Sequence, residues 1–387
     1  MQQCSRHERP LAYGIALVAV ALIMCFSGDA RTAGNQGGGF LYVRNHGQLW
    51  GYAINPDGSL AGVPGSPLSL NAESGGLAIH PSGRFLFTTV NQSVSIYTIN
   101  SDGSFQRACP DAPAGSRPLP VAVDPTGQYV YVTNVIRPGS TIWGYGIDTT
   151  TGCLTPVTGS PFATGDGASA VMMHPLLPFA YVTNDVPHTI AGYNIDLTTG
   201  GLSPMAGSPF PGISPYAGLA GNPAGQFVYV TNVNSQSVSA YAIADDGSLS
   251  TISGSPFATG VTPEGTAVDP GGQFTYVVNA DSNNISAYAI NPDGSLTQVM
   301  GSPFATGDCP TQVTVDPSGQ FVYAANYGCH TQVGSISAYA IDVGTGALTP
   351  VPGSPFATGL STGSVQATSG PVASPFRTGQ RTASGLR

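Results

Sequence analysis

The feature that most constrains this chain is a repeat of 47 residues, run seven times. A tyrosine followed two residues later by isoleucine occurs at Tyr52, Tyr97, Tyr145, Tyr193, Tyr241, Tyr288 and Tyr339, spaced 45, 48, 48, 48, 47 and 51 residues apart. An aromatic-rich run precedes each: FLYVRN (40–45), FLFTTV (85–90), YVYVTN (129–134), FAYVTN (179–184), FVYVTN (227–232), FTYVVN (274–279) and FVYAAN (321–326). Gly-Ser-Pro stands at 65–67, 159–161, 207–209, 254–256, 301–303 and 353–355, and Gly115-Ser116-Arg117-Pro118 reads as a degraded seventh copy. From Phe40 to Thr368 there are 329 residues, which is seven units of 47. Self-similarity at such a period marks a repeat architecture, so it comes before any local assignment.

Each unit reads as four strands. In residues 261–307 the first is EGTAVD (264–269), closed by a Pro-Gly-Gly turn, and the second is QFTYVVN (273–279). The third is ISAYAI (285–290), followed by Asn291-Pro292-Asp293-Gly294, and the fourth is SLTQVM (295–300), ending in GSPFATG. β-branched and aromatic residues fill the strands while Gly, Pro, Asn and Asp fill the gaps. Asp-Gly pairs such as Asp102-Gly103 and Asp246-Gly247 are hairpin signals. The second strand is apolar on both faces, as expected of a sheet packed on both sides. Proline in the last strand suits an outer edge.

Four-stranded units repeated radially make a β-propeller, here an all-β, seven-bladed one. The chain enters at a second strand (40–45) and is expected to finish with a first strand near 363–368, completing the first blade's sheet. A solenoid would need polar end caps, and none is visible. The Gly-His and Trp-Asp pairs of WD-type propellers are absent. The expected organisation is a leader at 1–30, a flexible lead-in at 31–39, a propeller at 40–368 and a tail at 369–387.

The leader is read from Arg6 and Arg9 followed by the apolar run Leu11–Phe26, short for a membrane span of about 20 residues. Cleavage after Ala30 is expected; an uncleaved anchor or a lipid on Cys25 is the alternative. Cys109, Cys153, Cys309 and Cys329 then remain, an even number suited to an oxidising compartment. The chain is therefore expected to be exported, to the periplasm, cell surface or medium. Cys309 and Cys329 fall at the same end of two antiparallel strands, where a disulfide is geometrically reasonable. Cys109 and Cys153 lie in outer strands of successive blades, near opposite ends, so a bond there is disfavoured.

Charge excludes whole classes of function. Only 8% of residues are charged, all 11 basic residues are arginine, and the net charge is −9. Without lysine there is no Schiff-base chemistry and no phosphate-loop lysine. The acidic balance argues against nucleic acid and anionic membrane surfaces as partners.

Tyr-Val-Thr-Asn stands intact at 131–134, 181–184 and 229–232. With the HPSG, DPTG and DPSG turns and the SAYAI strands, it resembles the lactonase-type propellers, which include the 6-phosphogluconolactonase-like proteins and the YVTN-repeat surface proteins. The resemblance spans residues 40 to about 368. It implies a propeller fold and lactone hydrolysis. The lactonase branch carries Gly-Pro-Arg-His before an inner strand. The matching places here read Thr262-Pro263-Glu264-Gly265, Cys309-Pro310-Thr311-Gln312 and Ser214-Pro215-Tyr216-Ala217, which keep proline but not the Arg-His pair.

Loops entering first strands lie at the same end as loops joining second and third strands. That end collects Arg44, His46, Arg137, Asp166, Asp185, His188, Glu264, Asp281, Asp308 and His330. They vary from blade to blade, and polar loop residues over a rigid scaffold are the usual place for binding. Asp166, Asp185, Glu264, Asp281 and Asp308 are the candidate ligand-binding residues. No cofactor is expected, although Asp166, Glu264 and Asp308 could hold Ca²⁺, and solvated loop acids are the simpler reading. His80 and His174 occupy the slot filled by Asp124, Asp269, Asp316 and Asn222 elsewhere, and read as turn formers. The recurring strand-end asparagine reads as a side chain bonding its own loop. Gly359-Leu360-Ser361-Thr362-Gly363 lacks the helix that a nucleophile elbow requires.

Two functions follow. One is a monomeric exported module that binds a small molecule, or a surface or protein partner, at the channel mouth. The other is a lactone hydrolase with His46, His188 or His330 as base and Arg44 or Arg137 steadying the oxyanion.

Overall fold

A computed structural model describes residues 39–45, 47–70, 75–136, 138–186, 188–212, 215–359 and 362–369. The leader, the lead-in up to residue 38, the tail from 370, His46, Arg137, Leu360 and Ser361 lie outside the described residues.

Seven antiparallel sheets follow one another, each running from an innermost to an outermost strand. Their order is explained by the alternation of short β-rich runs with tight turns. In the sixth blade the strands are Pro263–Val268, Phe274–Asn279, Asn284–Ile290 and Leu296–Gln298. The seven innermost strands each contact the next, and the contacts return to the start. Closure falls in blade 1. Its innermost strand is Thr362–Thr368, from the far end of the chain, paired antiparallel with Phe40–Asn45.

The core is not one mass. Seven apolar clusters are present, one between each pair of neighbouring blades. This is why the second strands are buried along their whole length. FLYVRN, YVYVTN and FAYVTN are buried at every position.

Two recurring tyrosines tie most of the blades together. The first sits mid-way along the second strand and donates its hydroxyl to a glycine carbonyl in an outer turn of the next blade. Tyr42 reaches Gly103 (2.7 Å), Tyr131 Gly200 (2.8 Å), Tyr181 Gly247 (2.7 Å), Tyr229 Gly294 (3.1 Å), Tyr276 Gly346 (3.2 Å) and Tyr323 Gly58 (2.9 Å). The second belongs to the Tyr-x-Ile motif and in five blades donates backwards, as Tyr193 does to the Ala163 carbonyl (2.9 Å) and Tyr241 to that of Pro211 (3.2 Å). Burial pushes these phenols above their ordinary value, so they stay protonated donors.

The seventh junction, between blades 2 and 3, differs. Phe87 stands where the other blades carry the first tyrosine, so the hydroxyl is missing. A disulfide joins Cys109 of blade 2 to Cys153 of blade 3 there, with Cα atoms 5.5 Å apart. This corrects the expectation that the two lie near opposite ends, where pairing is disfavoured. The outer turn of one blade leans over the outer half of the blade before it. Thr151 of that turn brings its carbonyl to 3.7 Å from the Cys109 sulfur, and Arg84 of blade 2 donates to the Thr149 carbonyl (3.4 Å). A strand-by-strand reading does not contain this overhang.

The outermost strand is also broken in a way the repeat alone did not suggest. In six blades it consists of two pieces, such as Leu296–Gln298 and Phe304–Ala305, both paired to the third strand. Gly-Ser-Pro lies in the gap with a cis Ser-Pro bond. The serine hydroxyl accepts the third-strand N–H that would otherwise lack a partner, as in Gly144 N–H to Ser160 (3.0 Å) and Ala287 N–H to Ser302 (2.9 Å). Blade 2 has no such break, and its outer strand runs continuously as Phe105–Pro113. Gly115-Ser116-Arg117-Pro118 is therefore not a degraded copy of the break. It leads into the inner strand Pro118–Val123.

His80 and His174 build turns. His174 Nδ1 accepts from the N–H of Leu176 (3.1 Å) and Leu177 (2.9 Å), while its Nε2 meets the Gly225 carbonyl of the next blade (2.8 Å). Asp316 does the same work with Ser318 (3.0 Å), Gln320 (2.9 Å) and Phe321 (2.8 Å).

Candidate functional site

The innermost strands start at the end of the propeller opposite these turns, and they crowd one another. A Cβ on Gly76 would stand 2.0 Å from the Leu119 carbonyl oxygen of the next blade, and one on Gly218 would stand 2.4 Å from that of Glu264. Only small residues fit where backbones approach this closely. The strands enclose a central channel of about 690 Å³, lined by residues of all seven.

The lining is uneven. Blades 2 to 5 contribute Leu77, Leu119, Pro120, Val121, Val171 and Leu219 among glycines and alanines, together with Ser169. Blades 7 and 1 contribute Gln312, Thr314, Tyr327, Arg44, Ser364 and Gln366. One wall is thus mainly apolar, and the other carries most of the polar side chains beside Val313 and Val365. Arg44 is 1% exposed and donates to the Asn45 carbonyl (2.7 Å); burial lowers its guanidinium to about 10.

Glu264 opens the innermost strand of blade 6, two residues before Thr266 of the channel wall. Its half-buried carboxyl is raised to about 7, first by burial and second by the nearby Asp281. Asp281 itself accepts a hydrogen bond from the Thr262 hydroxyl (2.5 Å). Among the described carboxyl candidates, Glu264 is the one raised towards neutral pH by its surroundings.

Other candidates are taken up by their own loops. Asp308 accepts the N–H groups of His330 (2.8 Å) and Thr331 (2.9 Å) and pairs with the His330 ring (2.7 Å). These bonds hold its carboxyl at about 2 and raise the His330 imidazole. The Cys309–Cys329 disulfide, with Cα atoms 5.6 Å apart, ties the same two loops. Asp166 accepts the Gly139 N–H (2.7 Å). Asp185 is buried at the end of a blade 4 strand, and His188 is exposed with φ of 51°. His188 and His330 thus stand in blades 4 and 7, and His46 and Arg137 lie outside the described residues. Among the described residues no three His, Cys, Asp or Glu side chains converge as a metal site.

The strand-end asparagines face loops and strands. Asn326 donates to Ser335 (3.0 Å) and Ser337 (2.9 Å), and Asn45 to the Thr358 carbonyl of the preceding blade (3.1 Å).

Sequence reasoning missed Gln312, Tyr327 and Gln366, because it searched for charge. A signal was available. Aligned on the strand pairings, Gln312 falls in the position of Gly76, Gly218 and Gly265, and Gln366 in that of Ala78, Ala122, Ala220 and Ala267.

A family model for "Lactonase, 7-bladed beta-propeller" matches residues 32–303. Among solved structures, the Pseudomonas aeruginosa periplasmic gluconolactonase is 18% identical, with a TM-score of 0.69 over 85% of this chain and 98% of that one. A Bacteroides fragilis protein titled "a putative 6-phosphogluconolactonase" is 18% identical, with a TM-score of 0.72 over 88% and 100%. A functionally unknown protein from Desulfotomaculum acetoxidans is 14% identical, with a TM-score of 0.68 over 86% and 99%. At these identities the likeness is one of fold. No curated protein matches the chain.

Proposed function

The chain belongs to the lactonase family of seven-bladed β-propellers, and from that premise we propose that it hydrolyses a small sugar lactone at the mouth of its central channel. The observation that carries this reading is Glu264. It is a half-buried carboxyl at the channel end of an inner strand, with a proton balanced at about pH 7. A general base works best when its pKa lies near the operating pH. As carboxylate, Glu264 takes a proton from the attacking water. The water oxygen bonds to the lactone carbonyl carbon, and the carbonyl oxygen takes up the negative charge. Arg44, the cation of the channel lining, offsets that charge. Collapse breaks the ring C–O bond, and the proton held by Glu264 passes to the leaving alkoxide.

The two disulfides and the periplasmic structural neighbour support placing the protein outside the cytoplasm. No helix among the described residues is long and apolar enough to cross a membrane.

The test is hydrolysis of a panel of sugar lactones by the full chain, followed by pH titration of the release of acid. Glu264→Gln should lower kcat/KM by about 100-fold, and the wild-type rate should rise with pH through about 7. Turnover unchanged in Glu264→Gln would remove Glu264 from the mechanism. A second reading is binding without turnover. It is favoured by the missing Arg-His pair at Thr262-Pro263-Glu264-Gly265 and its two counterparts. Ligand binding with no turnover on any lactone would establish it.

A further inference from the structure

The channel lining contains polar groups that the protein itself does not use. Gln312, Tyr327 and Gln366 are each half-buried and each line the cavity. Among the described residues none of the three side chains makes a hydrogen bond, whereas Ser364 bonds the Gly75 carbonyl (3.0 Å) and Thr314 the Val315 carbonyl (3.4 Å). Half-buried polar groups facing a channel are hydrated, and a ligand's hydroxyl groups can take the place of that water. Three of them without a protein partner on one concave surface leave donors and acceptors available to a ligand.

All three belong to neighbouring blades. Gln312 and Tyr327 come from blade 7 and Gln366 from blade 1, and the inner strands of these blades meet where the Thr311 hydroxyl approaches the Gly363 carbonyl (3.5 Å). Gln366 lies two strand positions deeper than Gln312, about 7 Å along the channel. That span matches a single sugar ring. Opposite them the wall is mainly apolar, with Ser169 its one hydroxyl, and it suits the C–H face of such a ring.

We propose that this wall is the ligand subsite, and that it takes a polyhydroxylated ring or its open acid, neutral or singly charged and without a phosphate. The inference rests on the lactone reading above and names its substrate class. Two amides and a phenol supply donors and acceptors for hydroxyl groups. The charge limit follows from the surroundings. Arg44 is the one cation lining the channel among the described residues, the sequence holds no lysine, and Glu264, Asp281 and Asp308 occupy the same end. Among the described lining residues a phosphate dianion would find one guanidinium, itself buried and bonded to the Asn45 carbonyl.

The test is calorimetric titration of the full chain with gluconate and with 6-phosphogluconate, in a Glu264→Gln background so that turnover plays no part. Gluconate should bind at least as tightly as the phosphorylated acid. Gln366→Leu, Gln312→Leu and Tyr327→Phe should each weaken it about tenfold, while Met300→Ser, on an outer edge at 89% exposure, should change it less than twofold. Melting midpoints are measured first. The isosteric Gln366→Glu serves where Gln366→Leu fails to fold, and should weaken gluconate at least as much by setting a carboxylate against it. More than tenfold preference for 6-phosphogluconate, or unchanged affinity in all three wall variants, overturns the subsite. Normal gluconate binding beside absent turnover in the wild type would sink hydrolysis and leave the subsite intact.

Discussion

The two ends of this propeller are built from the same strands and have opposite chemistry. At the turn end, polar groups are taken up by backbone in nearly every blade. Asp124, Asp269 and Asp316 accept the N–H groups of their own turns, and His80 and His174 add a bond to the following blade. At the mouth end, some polar residues are consumed in the same way, as Asp308 is by His330 and Thr331. Others, namely Gln312, Tyr327, Gln366 and Glu264, remain available. Variation from blade to blade therefore does not by itself mark a site. What separates a loop former from a candidate ligand contact is whether its hydrogen-bonding groups are already spent.

If the ends are separable, changes at the turn end cost stability without touching ligand affinity. The largest effect expected is from Cys153→Ser, which should cost about 3–4 kcal/mol in urea unfolding; a matching loss of gluconate affinity in the folded protein would break the separation. Asp316→Ala follows. It strands the N–H groups of Ser318, Gln320 and Phe321 and should cost about 2–3 kcal/mol.

A smaller gain sharpens the contrast between junctions. Adding Phe87→Tyr to Cys153→Ser should restore about 1 kcal/mol, the worth of one hydroxyl bond. No restoration would mean that the blade 3 turn cannot receive a tyrosine.

Next comes a pH effect. Burial lowers the pKa of His80 and His174 in the folded protein. The unfolded chain therefore binds protons more readily, and stability is full above the ordinary histidine value of about 6.5 and falls as pH drops below it. The double variant His80→Asp, His174→Asp uses the residue found in blades 3, 6 and 7, and should flatten that acid slope in melts run from pH 7.5 to pH 5. The smallest effect belongs to His330→Ala. Its exposed ring should leave the melting midpoint unchanged at physiological salt, where surface pairs are screened.

Much of this fold was legible because its signals recur. Seven Tyr-x-Ile motifs and the aromatic runs locate the second and third strands, and the offset of the first run from residue 40 implies closure by the last strand. What was not legible lies between blades. The Cys109–Cys153 bond depends on a turn overhanging its neighbour. The role of Ser160 or Ser302 depends on a gap in a partner strand that pairing alone reveals. The polar wall went unread for another reason: glutamine and tyrosine carry no charge, and only the strand register shows that Gln312 fills a position that Gly76, Gly218 and Gly265 leave bare.

Blade 1 also sets a timetable. Every other sheet joins strands that are consecutive in the chain, but Phe40–Asn45 must wait for Thr362–Thr368. The thermodynamic penalty of so long a loop grows slowly, by about 0.6 kcal/mol per doubling, yet pairings distant in sequence form late. A chain emerging from its N-terminal side therefore carries an uncovered apolar strand edge while six blades assemble. Such an edge is a template for association with other copies. The interval before the final strand docks is when this protein is most exposed to aggregation, and the same docking event delivers Gln366 to the channel.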